Sequence, residues 1–278
     1  LINAHTHLQY SGMVQVGQGT YDRFRAWELA FNEVYAEAQK TQPWKQWAED
    51  GARQMVESGT TAAADIVTDL DAAGALASQG MHGIAYWEVM GWHNAEWMEK
   101  GRTELIRQLR RMNEEQLPNL GISPHAPYTL ESEPFVDLPD IARQLNMRLH
   151  IHLAETPLEA GTYPPVLTTY SAADWSDHDW ESYRQLKEVG KGASAIQFVD
   201  QLGSLGPDVH IAHGVWANGE DRRILRQRGV GVALCPRSNR ITNTGKDAPV
   251  REYLEEGNLV SVGTDSLSST PTLDLLDD

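Results

Sequence analysis

A single cysteine, Cys235, occurs in 278 residues, so no internal disulfide can form and nothing marks an oxidising compartment. There is no basic run either, since 23 lysines and arginines are scattered among 39 acids for a formal net charge of −16. That balance lacks the electrostatic footprint of a nucleic-acid or anionic-membrane binder. A small-molecule partner is expected instead. No apolar stretch approaches the roughly 18–20 residues that span a bilayer, and no basic-then-apolar leader opens the chain. The cytosol is the expected location. Linkers, low-complexity tracts and internal repeats are also missing, so residues 1–278 read as one domain. A hydrophobic content of 41% against 22% charged residues is enough for a sizeable core. Both ends read as cut: the first residue is Leu1 rather than Met, and after the last strand only the start of a helix, Thr272–Asp278, follows.

What the chain does have is a rhythm of short apolar runs alternating with longer amphipathic stretches, the pattern of repeated strand-helix units on a parallel sheet. Eight strands are expected, at Leu1–His7, Thr60–Val67, Gly83–Met90, Leu120–Pro124, Arg148–Leu153, Val209–His213, Val230–Leu234 and Leu259–Gly263. Helices are expected at Phe24–Gln39, Trp44–Ser58, Thr103–Glu115, Pro134–Leu145, Ala193–Leu202, Glu220–Arg228 and Val250–Glu256. Eight such units predict an α/β fold, the (β/α)₈ TIM barrel, whose usual length of roughly 250 residues matches this chain. One segment breaks the rhythm. Thr156–Tyr183, rich in proline, tryptophan and acids, reads as a long loop on the catalytic face, either a lid or a surface decoration.

His5-Thr6-His7 closes the first strand, and residues two apart on a strand share a face, so two imidazoles converge. His152 and His213 end the fifth and sixth strands, and Asp265 follows the eighth. In a barrel these ends ring one mouth. Imidazoles with one carboxylate suit Zn²⁺, with Fe²⁺ as the alternative. His150 points to the same face as His152 but sits deeper in the strand. Glu155 follows the strand end, where a carboxylate can take a proton from water activated by a divalent ion and pass it to substrate.

Leu1-Ile2-Asn3-Ala4-His5-Thr6-His7-Leu8, Ser123-Pro124-His125-Ala126-Pro127-Tyr128-Thr129, His152-Leu153-Ala154-Glu155-Thr156, Ala212-His213-Gly214, Cys235-Pro236-Arg237-Ser238-Asn239 and Gly263-Thr264-Asp265-Ser266-Leu267 together resemble the amidohydrolase superfamily, in its cytosine-deaminase-like branch. That branch holds deaminases of adenosine, methylthioadenosine, S-adenosylhomocysteine, guanine and 6-aminodeoxyfutalosine, and triazine hydrolases. The resemblance implies one metal ion held by His5, His7, His152 and Asp265. It implies that His213 and Asp265 orient the attacking hydroxide, that Glu155 shuttles its proton and that His125 touches the substrate. Binuclear members place a carbamylated lysine at the end of the fourth strand; here that end reads Ile122-Ser123-Pro124-His125. Members also carry a small β-sandwich built from segments on both sides of the barrel, and this chain shows neither flank. Gln9 stands where members often have Glu, and Thr270 where Asn often follows the serine pair. Gln9 is therefore read as a substrate contact.

Hydrolytic deamination is the leading reading, because a departing amine needs the proton that Glu155 can carry, whereas chloride does not. The Cys235–Arg240 stretch resembles the sub-branch acting on 6-aminodeoxyfutalosine, a menaquinone-route substrate bearing a benzoate. Arg237 or Arg240 could pair with that carboxylate, or both could serve structural ion pairs. Deamination of adenosine, methylthioadenosine or S-adenosylhomocysteine is the next reading, then guanine, cytosine or triazine chemistry. A barrel that binds metal or purine without turnover is the non-enzymatic alternative. Trp92, Trp97, Trp175 and Trp180 could stack on a purine or pack the rim. The oligomeric state is left open, a homo-oligomer included.

Overall fold

The computed structural model describes residues 1–114, 117, 119–161 and 189–278. Its eight strands are β1 (Ile2–Thr6), β2 (Ala62–Val67), β3 (His82–Val89), β4 (Leu120–Pro124), β5 (Arg148–Leu153), β6 (Val209–His213), β7 (Gly231–Leu234) and β8 (Leu259–Val262). All pair in parallel in sequence order. Each expected strand is present, shifted by no more than two residues at either end. The helices α1 (Phe24–Thr41), α2 (Trp44–Glu57), α3 (Arg102–Glu114), α4 (Ser132–Gln144), α5 (Ala195–Gln201), α6 (Gly219–Arg228) and α7 (Val250–Glu255) answer the seven expected ones. The expected helix start at Thr272–Asp278 is instead a 3₁₀ turn, Leu275–Asp277, capped by the Asp274 carboxylate. Most of the long loop lies outside the described residues. Its first residues form a 3₁₀ turn at Pro157–Glu159.

The local reasons are conventional in kind. In α6, the Asn218 side chain accepts from the Glu220 and Asp221 amides, Asp221 returns the bond, and Gly229 closes the helix at φ 71°. The strands β4 to β7 are buried along almost their whole length, as expected where side chains face either the barrel interior or the helical ring.

Closure between the last strand and the first decides where the site lies. Asp265 N donates to His5 O at 3.0 Å, and Thr6 Oγ1 donates to Asp265 O at 2.8 Å. Asn3 reinforces the seam by donating to Thr264 Oγ1 at 2.7 Å. A Cβ on Gly263 would lie 2.8 Å from His5 Cβ and from the His5 carbonyl oxygen, so only glycine lets β8 come this close. A second device is α1, which stands at the mouth. Trp27, Phe31 and Tyr35, four residues apart, share one face, and Trp27 Nε1 donates to Ser268 O at 2.8 Å.

Asp65 on β2 is buried, with Oδ1 accepting the Leu8 amide at 2.9 Å and Oδ2 left without a partner. Burial pushes its carboxyl from 3.8 up to about 8, and the Leu8 bond offsets only part of that. A group with a raised folded-state pKa holds its stabilising proton below the unfolded value and loses that contribution as pH rises. Between pH ~4 and ~8 the melting temperature of the wild type should therefore fall relative to that of Asp65→Asn, which keeps an acceptor for Leu8 but has no proton to lose. Calorimetric melting curves that run parallel for the two proteins across this range would contradict it.

Candidate metal centre and active site

The buried imidazoles of His5, His7, His152 and His213, the half-buried His125 and the buried carboxyls of Glu88, Glu155 and Asp265 meet at the open end of the barrel. His7 Nε2 faces His152 Nε2 at 3.2 Å, and both His5 Nε2 and His7 Nε2 lie 3.6 Å from Asp265 Oδ1. His5, His152 and His213 can bring ligand nitrogens within 4.8 Å of one another, as can the set His5, His7 and Asp265. His5, His7, His152 and Asp265, expected to act together, thus lie around one point, and His213 borders it.

Their other polar atoms explain how each donor is aimed. His152 Nδ1 lies 3.2 Å from the His125 carbonyl oxygen, which can only accept, so the proton sits there and the Nε2 lone pair faces the centre. His213 Nδ1 meets Asn239 Oδ1 at 3.0 Å, and His5 Nδ1 meets His150 Nε2 at 3.0 Å. Asp265 Oδ2 accepts from Ser238 Oγ at 2.6 Å and Ser269 Oγ at 2.9 Å, which turns Oδ1 inward. His150 therefore lies one layer below the centre and orients His5. Such outer partners fix the tautomer and raise ligand basicity.

The electrostatics agree with a cation site. Burial lowers the His5, His7, His125 and His152 pKa values, reaching about 3 for His7 and His125, so the rings are neutral and their lone pairs available. Burial alone would raise Asp265, yet His5, whose Nε2 lies 3.6 Å from Oδ1, and the other nearby imidazoles hold it well below the carboxylate range. His5 Nε2 is buried with no hydrogen-bond partner. The His152 lone pair, 3.2 Å from His7 Nε2, and the orphaned His5 nitrogen offer donors that a cation would satisfy. The donor set of imidazoles with one carboxylate fits Zn²⁺ or Fe²⁺. The backbone is strained at the same place: Ala154, His213 and Asp265, each at a strand end, have φ of 54°, 74° and 59°. Positive φ at non-glycine residues costs about 1–3 kcal/mol each and clusters at functional sites.

Glu155 Oε1 lies 3.5 Å from His213 Nε2, and Tyr128 Oη donates to Glu155 Oε2 at 3.1 Å. Burial raises its carboxyl, the His213 charge opposes that and the Asp265 charge adds to it. Its turn is held by Glu159, whose carboxylate accepts the amides of Ala154, Glu155 and Thr156 at 2.8, 2.9 and 2.9 Å. His125 lines the cavity above the centre, with Nδ1 2.8 Å from Thr129 Oγ1. That cavity, ≈ 330 Å³, is also bordered by His7, Glu155, His213 and Asp265.

Three expected substrate contacts lie elsewhere. The Gln9 amide is spent on the loop after β2, donating to Thr68 Oγ1 at 2.5 Å and accepting the Thr68 amide at 2.8 Å. Arg237 is taken up by the terminal segment, donating to Asp278 Oδ2 at 2.7 Å and the Asp274 carbonyl at 2.9 Å. Arg240 pairs with Asp247 at 2.8 Å on the surface. The reading of a benzoate held by either arginine is corrected accordingly: both guanidiniums serve structural ion pairs outside the cavity. Among the tryptophans, Trp97 is core and donates to Asp137 Oδ2 at 2.9 Å, Trp92 lines a neighbouring cavity, and Trp175 and Trp180 lie outside the described residues. Cys235 is buried, and its thiol is pushed well up by that burial, as befits an inert core residue.

Sequence reasoning missed Ser238, Ser269, Asn239, Tyr128, Glu159 and Glu88. Glu159 had a signal, since Thr156-Pro157-Leu158-Glu159 is a capping box. Glu88, a single acid near the end of an otherwise apolar strand, had none; it is buried with Oε1 3.9 Å from His152 Nδ1, and burial with the Asp265 charge pushes it up to about 8.

The model of the Amidohydrolase family matches residues 1–162 and 168–278. The chain belongs to this family. Among its relatives, a 5-methylthioadenosine/S-adenosylhomocysteine deaminase of Thermococcus kodakarensis is 30% identical over all of this chain and 60% of its own length. A 5'-deoxyadenosine deaminase of Methanosarcina mazei is 31% identical over all of this chain and 59% of its own. The amidohydrolase chain thus spans about three fifths of these relatives. Among solved structures, an adenosine deaminase of Xanthomonas campestris with bound zinc superposes with TM-score 0.72 at 22% identity, over 100% of this chain and 58% of that one. An aminofutalosine deaminase of Helicobacter pylori gives 0.74 at 21% identity, over 99% and 65%. At these identities the structural likeness speaks for the barrel fold.

If these donors form the centre, elemental analysis of the full-length amidohydrolase should give one divalent ion per chain. His5→Ala and Asp265→Ala should abolish retention. Ser238→Ala and Ser269→Ala should keep the ion but weaken its affinity about 10- to 100-fold, the usual range for lost outer-shell bonds. Full occupancy in His5→Ala would break the assignment.

Proposed function

We propose that this amidohydrolase barrel carries the active site of a hydrolytic deaminase acting on 6-aminopurine nucleosides. The observation that carries the reading is Glu155: a buried carboxyl beside His213, at the wall of a cavity whose floor is the imidazole-carboxylate cluster. The relatives named as deaminases of methylthioadenosine, S-adenosylhomocysteine and 5'-deoxyadenosine support the substrate class.

His5, His7, His152 and Asp265 would hold the divalent ion. When bound, it supplies Lewis acidity that makes water nucleophilic near neutral pH. His213 Nε2, pointing inward because Asn239 holds Nδ1, and Asp265 orient that water. Glu155 takes one proton from it and delivers this proton to the ring nitrogen beside the amino-bearing carbon while the oxygen adds to that carbon. It then moves the remaining hydroxyl proton to the amino group, the carbon-nitrogen bond breaks, and ammonia leaves a ring carbonyl behind. Tyr128 donates to Oε2, which leaves Oε1 to carry the proton in both transfers. His125, neutral and on the cavity wall, touches the ring. A chloride leaving group would need no such shuttle, so Glu155 favours an amine. 6-Aminodeoxyfutalosine shares the reacting ring with adenosine and belongs to the same proposed class; with Arg237 and Arg240 engaged elsewhere, the guanidinium that lines the cavity is that of Arg25, which pairs with Glu28 at 2.7 Å.

Full-length protein loaded with zinc should release ammonia from adenosine, 5'-deoxyadenosine or methylthioadenosine and leave guanine and cytosine untouched. Glu155→Gln should keep its metal while turnover drops about 10²–10⁴-fold or more, since the amide preserves shape but carries no proton. Turnover near the wild-type rate in that variant would remove Glu155 from the reaction.

A further inference from the structure

Beside the cavity over the metal centre lies a second one of ≈ 440 Å³. The two share Tyr10, Phe31, Asn32, Glu88 and Met90, so they form adjoining chambers of one cleft. The second chamber is walled by aromatic rings. Phe31 stacks on Tyr35 at 5.7 Å between centroids and meets Tyr10 edge to face at 5.1 Å, while Trp87 and Trp92 stand on the β3 side. Its charged lining consists of the Glu88 and Glu104 carboxyls; among the described residues no lysine or arginine lines it. The Lys100 ammonium, 5.7 Å from the Trp92 centroid, does not line it and shows that this ring's face accepts a cation.

Glu88 sits at the junction. Its side chain is 3% exposed, and Oε1 has no hydrogen-bond donor among the described residues. A buried acceptor without a donor is costly unless a ligand supplies one. Aromatic faces around acidic groups attract cations, and an ammonium beside Glu88 favours the ionised carboxylate that burial alone disfavours, whereas a carboxylate there disfavours it further.

We propose that this second chamber receives the arm that projects from the substrate's sugar, and that Glu88 and the aromatic wall select an arm ending in an ammonium over one ending in a carboxylate. The inference rests on the deaminase reading for the ring's position and goes beyond it in naming the arm's chemistry.

Three matched 5'-thioether adenosines test it, ending in a methyl, an aminoalkyl and a carboxyalkyl group. Their binding is measured by calorimetry on zinc-loaded, full-length Glu155→Gln, and ammonia release on the wild type. The ammonium arm should bind about 10- to 100-fold tighter than the carboxylate arm, the scale of a charge-assisted hydrogen bond with a cation-π contact. Adding Glu88→Gln should shrink that ratio toward one by weakening the ammonium arm. Glu104→Gln, on an exposed helix face, should shrink it less and reads the same preference should Glu88→Gln not fold. Equal binding of all three arms, or tighter binding of the carboxylate arm, overturns the proposal. Deamination of all three with no discrimination would leave the deaminase reading standing, whereas no ammonia from any of them would sink that reading while the binding ratio still reports on the chamber.

Discussion

The packing of ionisable groups into a dry barrel mouth is the constraint on which the rest depends. An isolated charge there is costly, so the His5, His7 and His152 imidazoles are held neutral and offer lone pairs, and a lone pair turned inward needs something positive to face. The structure meets half of that requirement itself. Asn239, His150, the His125 carbonyl and the Ser238 and Ser269 hydroxyls engage the outer atoms of His213, His5, His152 and Asp265. The inner atoms are left converging on one another, an arrangement that a cation would satisfy. Were these donors to hold a divalent ion, its affinity and the stability of the protein would be coupled.

Barrel closure and site assembly are the same event. Asp265 reaches His5 and His7 because Gly263 permits close approach of β8 to β1, and the Asp265 amide and carbonyl form the seam that closes the barrel. Its positive φ turns the side chain inward at that point. A substitution at Gly263 would thus damage the sheet and the donor set together. The strain at Ala154 and His213 belongs to the same design, since a strand continuing in regular geometry would not direct Glu155 and His213 at one another. Glu159 holds the first of these turns with three amide bonds.

Legibility in the sequence followed chemistry and period. The eight strands were readable because buried parallel strands are short apolar runs, and the inward donors because histidine at a strand end, spaced by two, has few other uses. The outer partners were not readable, because Ser238, Asn239 and Ser269 are ordinary loop and helix-start residues until the fold joins them to Asp265, His213 and Asp265 across 27, 26 and 4 positions. The arginines show the opposite failure: charge and position near the mouth suggested recognition, but a guanidinium is satisfied by whichever carboxylates lie nearest, and for Arg237 those are Asp277 and Asp278. Glu88 was invisible because one acid in an apolar strand reads as an outward residue, and only the strand register reveals that it points inward.

That last point bears on how such barrels diverge. The donors at the ends of β1, β5, β6 and β8 are bound by one another and by the seam, so changing any of them disturbs the whole set. Positions at the end of β3 and on α1 carry no such obligation; Glu88, Phe31 and Tyr35 contact the cleft but do not take part in closing the barrel. On the proposed deaminase reading, the reacting ring would be tied to a part of the molecule that tolerates little change, and the arm to a part that tolerates much. Specificity in this chain should accordingly be sought along the β3 and α1 side of the mouth, where the aromatic and acidic character of the second chamber is concentrated, and not around β7, where the arginines have structural duties.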